Sequence, residues 1–575
     1  MTQKHFILYI FLLLSGVIFS QKKKKEKIDT EEITVVKPFS PTVSDAFKIN
    51  SNPEIDSVDI NTKKEIQYSI NSIPVASTFT PAKGKAKTLQ RAPKERFYNN
   101  YASLGYGNFS TPIVEVFAHG NTSNYNDFGG FIKYHASGGG IDGVKLDDNF
   151  SKLNVDLFYK QSERDFKWQG IAGFNRLATN WYGLSDEINF NNNTLKSIKE
   201  SQTYNELYFG GEIEFFEALV HNGKVKINRF TDKTNSNENY GFLSGVVDFP
   251  IREEMMYTEM TLEFLNTTFD NNYFKTNDLK STFFNIGFLP SFELLRDNLT
   301  LNLGAKLYYS FTDTSDGSKF YIYPNVTASY KITNESLIAY AGVIGDLQQN
   351  SYKGFVNKNP FVSPTLNIQR TSQQYNAYVG IKGLLNSHIR FNIKAAYINE
   401  ANKPLYQLNT SKTNGTTTVN EGYEAGNSFN VIYDDVNTIN VNGELIVDFN
   451  KAIKFGGNFE FNSYVLDTQS EAWNLPMIKA TLLANYTHKK WYAGAELFFA
   501  SERKDVFSTT TSSPILIKNS AYFDVNLNGL YNINDKFSVF VNFNNILSDN
   551  YQEYSNFKVQ GLQFFGGVKY KFDLQ

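Results

Sequence analysis

The residues best equipped for chemistry are few and scattered. The six histidines are His5, His119, His135, His221, His388 and His488, and no two have the i, i+4 spacing that brings a pair of imidazoles to one metal. All but His5 and His135 fall at or in expected short turns, where solvated side chains are the plain reading. Gly138-Gly139-Gly140 precedes Ile141-Asp142-Gly143. A phosphate cradle needs a helix N-terminus after its glycines, and the pattern here writes a loop tip instead. Asp147-Asp148 and Asp434-Asp435 fall in expected external loops. They could offer oxygen to a cation, but such an ion needs about six converging ligands. The chain has no cysteine, so it lacks a thiolate nucleophile, a thiolate metal site, a disulfide framework and a lipid-anchor site. No local motif marks a serine with its base. These residues point away from an enzyme, and no metal or cofactor is expected.

What the chain does carry is a period of two, repeated from Tyr98 to the end. Phe523, Val525 and Leu527 alternate with Asp524, Asn526 and Asn528. Phe537, Val539, Val541 and Phe543 follow, then Leu562, Phe564, Gly566, Val568, Tyr570 and Phe572. Such runs are strands with one apolar and one polar face, and about ten residues suffice to cross a bilayer at a tilt. Val326, Ala328 and Tyr330, the Phe455–Phe459–Phe461 series, and Ala480, Leu482 and Ala484 repeat the pattern. Glu212, Glu214, Glu444, Lys454 and Glu460 all take the polar parity, as they must where a charge facing mid-membrane lipid costs roughly 2–4 kcal/mol. Fifty phenylalanines and 35 tyrosines supply the aromatic girdle, with Tyr330, Tyr486, Trp491, Phe537 and Tyr570 beside short turns on the apolar face.

Short turns are expected at 119–126, 161–165, 218–222, 250–252, 294–298, 331–336, 386–388, 449–451, 488–490 and 532–536. Longer polar stretches lie mostly between them, including 175–202, 346–371, 399–428 and 503–519. This alternation gives about 22 strands, an even number with short turns at one end and long loops at the other. An open edge in hydrocarbon would leave backbone groups unpaired at several kcal/mol each, so the last strand must meet the first. The expected fold is therefore an all-β, transmembrane antiparallel β-barrel. A water-soluble sandwich also alternates, but it needs neither the girdle nor the turn asymmetry.

The segment ahead of the barrel differs. Residues 6–19 are apolar behind Lys4 and His5, too short to span, and are followed by Ser20, Gln21 and a lysine run; this is a signal peptide over residues 1–20. Six of the 15 prolines stand at Pro38, Pro41, Pro53, Pro74, Pro81 and Pro93. Residues 21–98 have no sustained period and read as an extended periplasmic arm. The barrel is assigned 99–575, and the net charge of −2 gives no case for nucleic acid.

The closing segment resembles a known family. Asn542-Phe543-Asn544-Asn545-Ile546-Leu547-Ser548-Asp549-Asn550-Tyr551, followed by Phe564-Phe565-Gly566-Gly567-Val568-Lys569-Tyr570-Lys571-Phe572, looks like the final hairpin of TonB-dependent outer-membrane receptors. Phe564, Val568, Tyr570 and Phe572 would form the terminal strand that the barrel assembly machinery handles, although here Asp573-Leu574-Gln575 follow the last aromatic. Asp29-Thr30-Glu31 leads into Glu32-Ile33-Thr34-Val35-Val36, which resembles that family's TonB box. Such a strand pairs by edge addition with a TonB-type periplasmic protein. The same residues read equally as an unstructured linker. The family also carries a plug of roughly 130–150 residues, and the stretch between Val36 and the first strand lacks both the length and the glycine-rich pattern for one.

The resemblance implies an outer-membrane barrel that transports or binds a substrate at the cell surface. The rival reading is a structural or partner-binding barrel of an outer-membrane assembly. A barrel this wide would leak unless something narrowed it. Two segments could do so, the Pro-rich arm of 21–98 folding back into the lumen or the long loops. The arm has few apolar residues, so the expected occluders are the long loops, whose Trp181, Tyr182, Tyr352, Phe355, Phe361 and Tyr406 could pack across the mouth.

Overall fold

The computed structural model describes residues 98–574, apart from 124, 217, 252–253, 275–276, 315–316, 334–335 and 549. The signal peptide, the arm up to residue 97 and the Glu32–Val36 segment lie outside the described residues. Twenty-two strands form one antiparallel sheet in which each pairs with its chain neighbour. The first strand, Asn100–Gly107, closes on the last, Gln563–Phe572, in a register running from Asn100↔Phe572 to Gly107↔Phe565. Closure leaves the sheet no edge, as the hydrocarbon argument demands.

All ten expected short turns fall between consecutive barrel strands. The alternation of faces holds as well. Leu104, Phe564, Val568, Val539, Val541 and Phe543 are exposed on the outer surface. Lys569, the neighbour of Val568, turns inward and lies 3.8 Å from the centre of the Tyr101 ring. Tyr330, Tyr486, Trp491, Phe537 and Tyr570 all face outward, with the Phe537 and Tyr570 rings 4.7 Å apart on paired strands. Several charged residues of the polar parity pair along the lumenal wall: Lys167 with Glu214 at 2.7 Å, Lys224 with Glu212 at 3.1 Å, and Lys454 with Asp448 at 3.4 Å.

One packing device went unread in the sequence. Tyrosines lie flat over glycines on the adjacent strand inside the lumen. Tyr340 covers Gly380 and Tyr378 covers Gly342, and a Cβ at either glycine would meet ring atoms at 2.3 and 2.6 Å. Tyr340 then donates to Asn392 at 2.5 Å. The glycines mark close approach, a signal that appears only when strand register is known.

The long connections required correction. Strands Ile389–Leu408 and Phe429–Asp448 have 20 residues each, about twice what a crossing needs. They rise well past the membrane because lateral pairing satisfies their backbones without lipid. Asp434-Asp435 therefore sits in a strand and not in a loop. Asp434 accepts from the Thr468 and Gln469 N–H groups at 3.0 and 2.9 Å, so it fastens the neighbouring connection and is not open to a cation. Residues 503–519 contain a hairpin of Arg503–Phe507 and Ile515–Asn519, and two connections at this end, 108–110 and 233–236, are short.

Candidate functional site

The connections at the long-loop end pack into one another across the mouth. Two short helices lie in these connections: Asn192–Ser197 (α1) in the 181–200 connection, and Tyr352–Lys358 (α2) at the start of the 350–369 connection. Ser351 caps α2 by accepting from the Gly354 N–H at 3.0 Å. The wall residue Glu238 does the same from outside the segment, accepting from the Tyr352 and Lys353 N–H groups at 2.6 and 3.2 Å and from Thr267 at 2.8 Å. A carboxylate beside the first free N–H groups of a helix satisfies orphan donors and meets the positive end of the dipole. Lys353 pairs with Glu206 of the wall, and Tyr352 donates to Asp232 at 2.8 Å. The sequence reading missed Glu238, because nothing local ties it to a helix more than a hundred residues away.

An aromatic core lies behind this anchor. Tyr204, Phe230, Leu265 and Phe283 from the wall meet Tyr352, Phe355, Val362 and Leu366 of the 350–369 connection, with Phe429 and Phe557. The Trp181 ring packs with Tyr423 and Tyr273 in a second cluster. The six loop aromatics expected to close the mouth all lie in or against these clusters. Each large apolar side chain so buried contributes about 1.5–3 kcal/mol.

The packing crosses the barrel. Asn427, between the fifteenth and sixteenth strands, donates to the Trp181 carbonyl at 2.6 Å. Trp181 lies between the fifth and sixth strands, so the partners are ten positions apart in a ring of 22. The contact therefore spans nearly opposite walls. Tyr204 on the sixth strand likewise donates to the Pro360 carbonyl, between the thirteenth and fourteenth, at 2.9 Å.

Two buried polar centres hold the remaining connections. Arg503 donates to the Glu553 and Gln552 carbonyls at 2.5 and 2.6 Å and lies over the Tyr522 ring at 5.0 Å. Asp505 is fully buried and accepts from the Leu408 N–H at 3.1 Å, the Val506 N–H at 2.8 Å and the Asn474 amide at 2.7 Å. Burial outweighs these donors and pushes its carboxyl up to about 6. Burial also raises the Glu553 carboxyl, against the pull of Arg503 and Lys479. Three buried donors in the cap, Trp181 Nε1, Tyr406 Oη and Asn359 Nδ2, have no acceptor among the described residues. Each such group costs about 1–3 kcal/mol, so the closed lid is not fully satisfied.

The other expected residues are accounted for individually. Phe564 and Val568 face outward in the terminal strand, with Tyr570 stacked 5.8 Å from Phe572. The glycine triplet does form an anion-binding bend, with Gly139 and Gly140 at φ of 87° and 107°. Its occupant is the chain's own Asp148, which accepts from the Gly140 and Ile141 N–H groups at 3.0 and 2.8 Å. His119 pairs with Asp127 at 2.7 Å, and no cluster of three metal-ligating side chains occurs among the described residues.

A closed, girdled 22-strand barrel with a loop-built cap belongs to the architecture of large outer-membrane barrels. No family model matches the chain, and no curated protein matches it. Solved structures do. The chain is similar to the pyoverdine receptor FpvA of Pseudomonas aeruginosa bound to a ferric pyoverdine, with a TM-score of 0.61 at 13% identity over 83% of this chain and 72% of that one. It is similar to the FpvAI–pyocin S2 complex at 0.60, with 14% identity over 84% and 74%. The ferric enterobactin receptor PfeA of Pseudomonas aeruginosa aligns at 0.59, with 11% identity over 82% and 80%. At these identities the likeness is one of fold: the chain has the barrel fold of TonB-dependent receptors.

Proposed function

We propose that the protein is an outer-membrane receptor or transporter barrel that binds or admits a substrate at the cell surface, with its long connections outside and its short turns in the periplasm. The observation that carries this reading is the loop cap on a receptor-type barrel, since a surface that recognises a solute must be built from side chains gathered over the mouth. The similar structures carry ferric pyoverdine in one case and are named for ferric enterobactin in another, so iron chelates are the first substrates to try. Coupling to a TonB-type protein through Glu32–Val36 belongs to the same proposal. Enzymatic chemistry does not.

Topology is the first test. An epitope inserted at Asn409 reacts on intact cells, and one at Asn534 reacts only after the outer membrane is opened; the reverse would overturn the orientation. Substrate is tested by comparing uptake of ferric chelates in deleted and complemented cells. The tight packing of the cap favours a second reading, a structural barrel that engages a partner. Unchanged uptake of every solute, with a partner co-purifying at fixed stoichiometry, would select it.

A further inference from the structure

One member of the cap ties several of the others together. The hairpin formed by Gln552–Tyr554 and Phe557–Lys558 lies between the last two barrel strands. Arg503 grips the carbonyls of residues 552 and 553 at 2.6 and 2.5 Å. Asn519 donates to Ser555 at 2.7 Å. Tyr182 donates to the Lys558 carbonyl at 2.9 Å, and Tyr554 donates to the Lys358 carbonyl. These partners come from three separate connections. Phe557, 1% exposed, sits where they converge. It stacks on Phe361 at 3.7 Å and meets Tyr182 at 5.0 Å and Phe429 at 5.9 Å. Gly183 lies so close that a Cβ there would fall 2.6 Å from the same ring.

The hairpin has little ladder of its own, only the pairs Gln552↔Lys558 and Tyr554↔Phe557. Two strands this short do not hold themselves together in water, so the neighbours hold the hairpin and the hairpin holds the neighbours. Trp181 Nε1, Asn359 Nδ2 and Tyr406 Oη are buried without an acceptor among the described residues, so an arrangement that gave them partners would recover that cost. Mutual dependence with an incompletely satisfied closed state is what a two-state element requires.

We infer that the 552–558 hairpin is the latch of the lid, so that its release frees the connections together and the mouth opens as one unit. The inference does not depend on what the barrel carries, and its test measures no transport.

The absence of cysteine makes single probes clean. Ser185→Cys, Ser363→Cys and Ser411→Cys place a thiol at sites 3%, 0% and 0% exposed in three different connections. Each is made alone, in full-length protein in detergent, and reacted with a maleimide. The three probes label slowly in the otherwise native chain. Adding Phe557→Ala speeds all three by at least tenfold and by similar factors. Tyr554→Phe removes only the hydroxyl bond to Lys358 and speeds all three by about two- to tenfold, the worth of one hydrogen bond; it decides the matter where Phe557→Ala fails to fold. Acceleration of one probe alone would show loops that move separately, and no acceleration in either variant would show that the hairpin is not a latch. Either result overturns the inference.

Discussion

Asp505 gives the cap a pH dependence whose sign and size follow from its surroundings. The carboxyl lies in the Arg503–Phe507 arm of the loop hairpin, buried, hydrogen-bonded to the Leu408 and Val506 N–H groups and the Asn474 amide, with no cation bonded to it among the described residues. Its folded pKa of about 6 stands above the ordinary aspartate value of 3.8. A carboxyl raised in this way binds its proton more tightly in the folded cap. The stability it contributes is therefore fully present below about 4 and is lost as pH rises through about 6. At 1.36 kcal/mol for each pH unit of difference, the full swing is about 3 kcal/mol. Hydrogen exchange at the Leu408 and Val506 amides, corrected for intrinsic rates, measures it: protection in the native chain should fall across pH 4 to 7. Asp505→Asn cannot titrate, and it should lose the greater part of this fall, leaving only what the raised Glu553 carboxyl contributes. Equal slopes in the two proteins, or protection that rises with pH in the native chain, would refute the reasoning.

Two further outcomes test the barrel itself. Tyr570→Ala and Phe572→Ala should lower accumulation in the outer membrane more than Lys569→Ala. The first two remove rings of the interfacial girdle, about 1.5–3 kcal/mol each, whereas Lys569 loses a lumenal contact with Tyr101. Equal accumulation of the three variants would contradict the assignment of faces. Gly380→Val should destabilise the folded, heat-modifiable form by about 1–3 kcal/mol by displacing Tyr340, while Gly443→Val, with open space around its Cβ, should be nearly silent. Matching urea midpoints for the two would remove tyrosine-over-glycine packing as a source of stability.

The barrel was legible because a strand that faces lipid on one side and water on the other must alternate, and its short turns must be polar. Phe537, Val539, Val541 and Phe543 announce their face without any partner. The cap was legible only in kind. Trp181, Tyr352 and Phe355 stand out as aromatics too numerous for solvated loops, yet their partners could not be named. Glu238 and α2, or Arg503 and the carbonyls of 552 and 553, meet through the curvature of the barrel, and no local spacing encodes that. The long strands were underestimated for a related reason: pairing beyond the membrane no longer requires an apolar face, so the period of two fades where Asp434 and Asp435 stand while the ladder continues.

We propose that the long connections close the 22-strand barrel at its mouth. Single-channel conductance in a planar bilayer tests it directly, on the full-length chain, on a chain whose 409–428 connection is cut to a short turn, and on a chain lacking residues 24–90. The full-length protein should stay closed, and shortening the connection, which removes Asn427 and its bond across the mouth, should produce steady conducting steps. Conduction that appears on deleting residues 24–90, with none on shortening the connection, would contradict it.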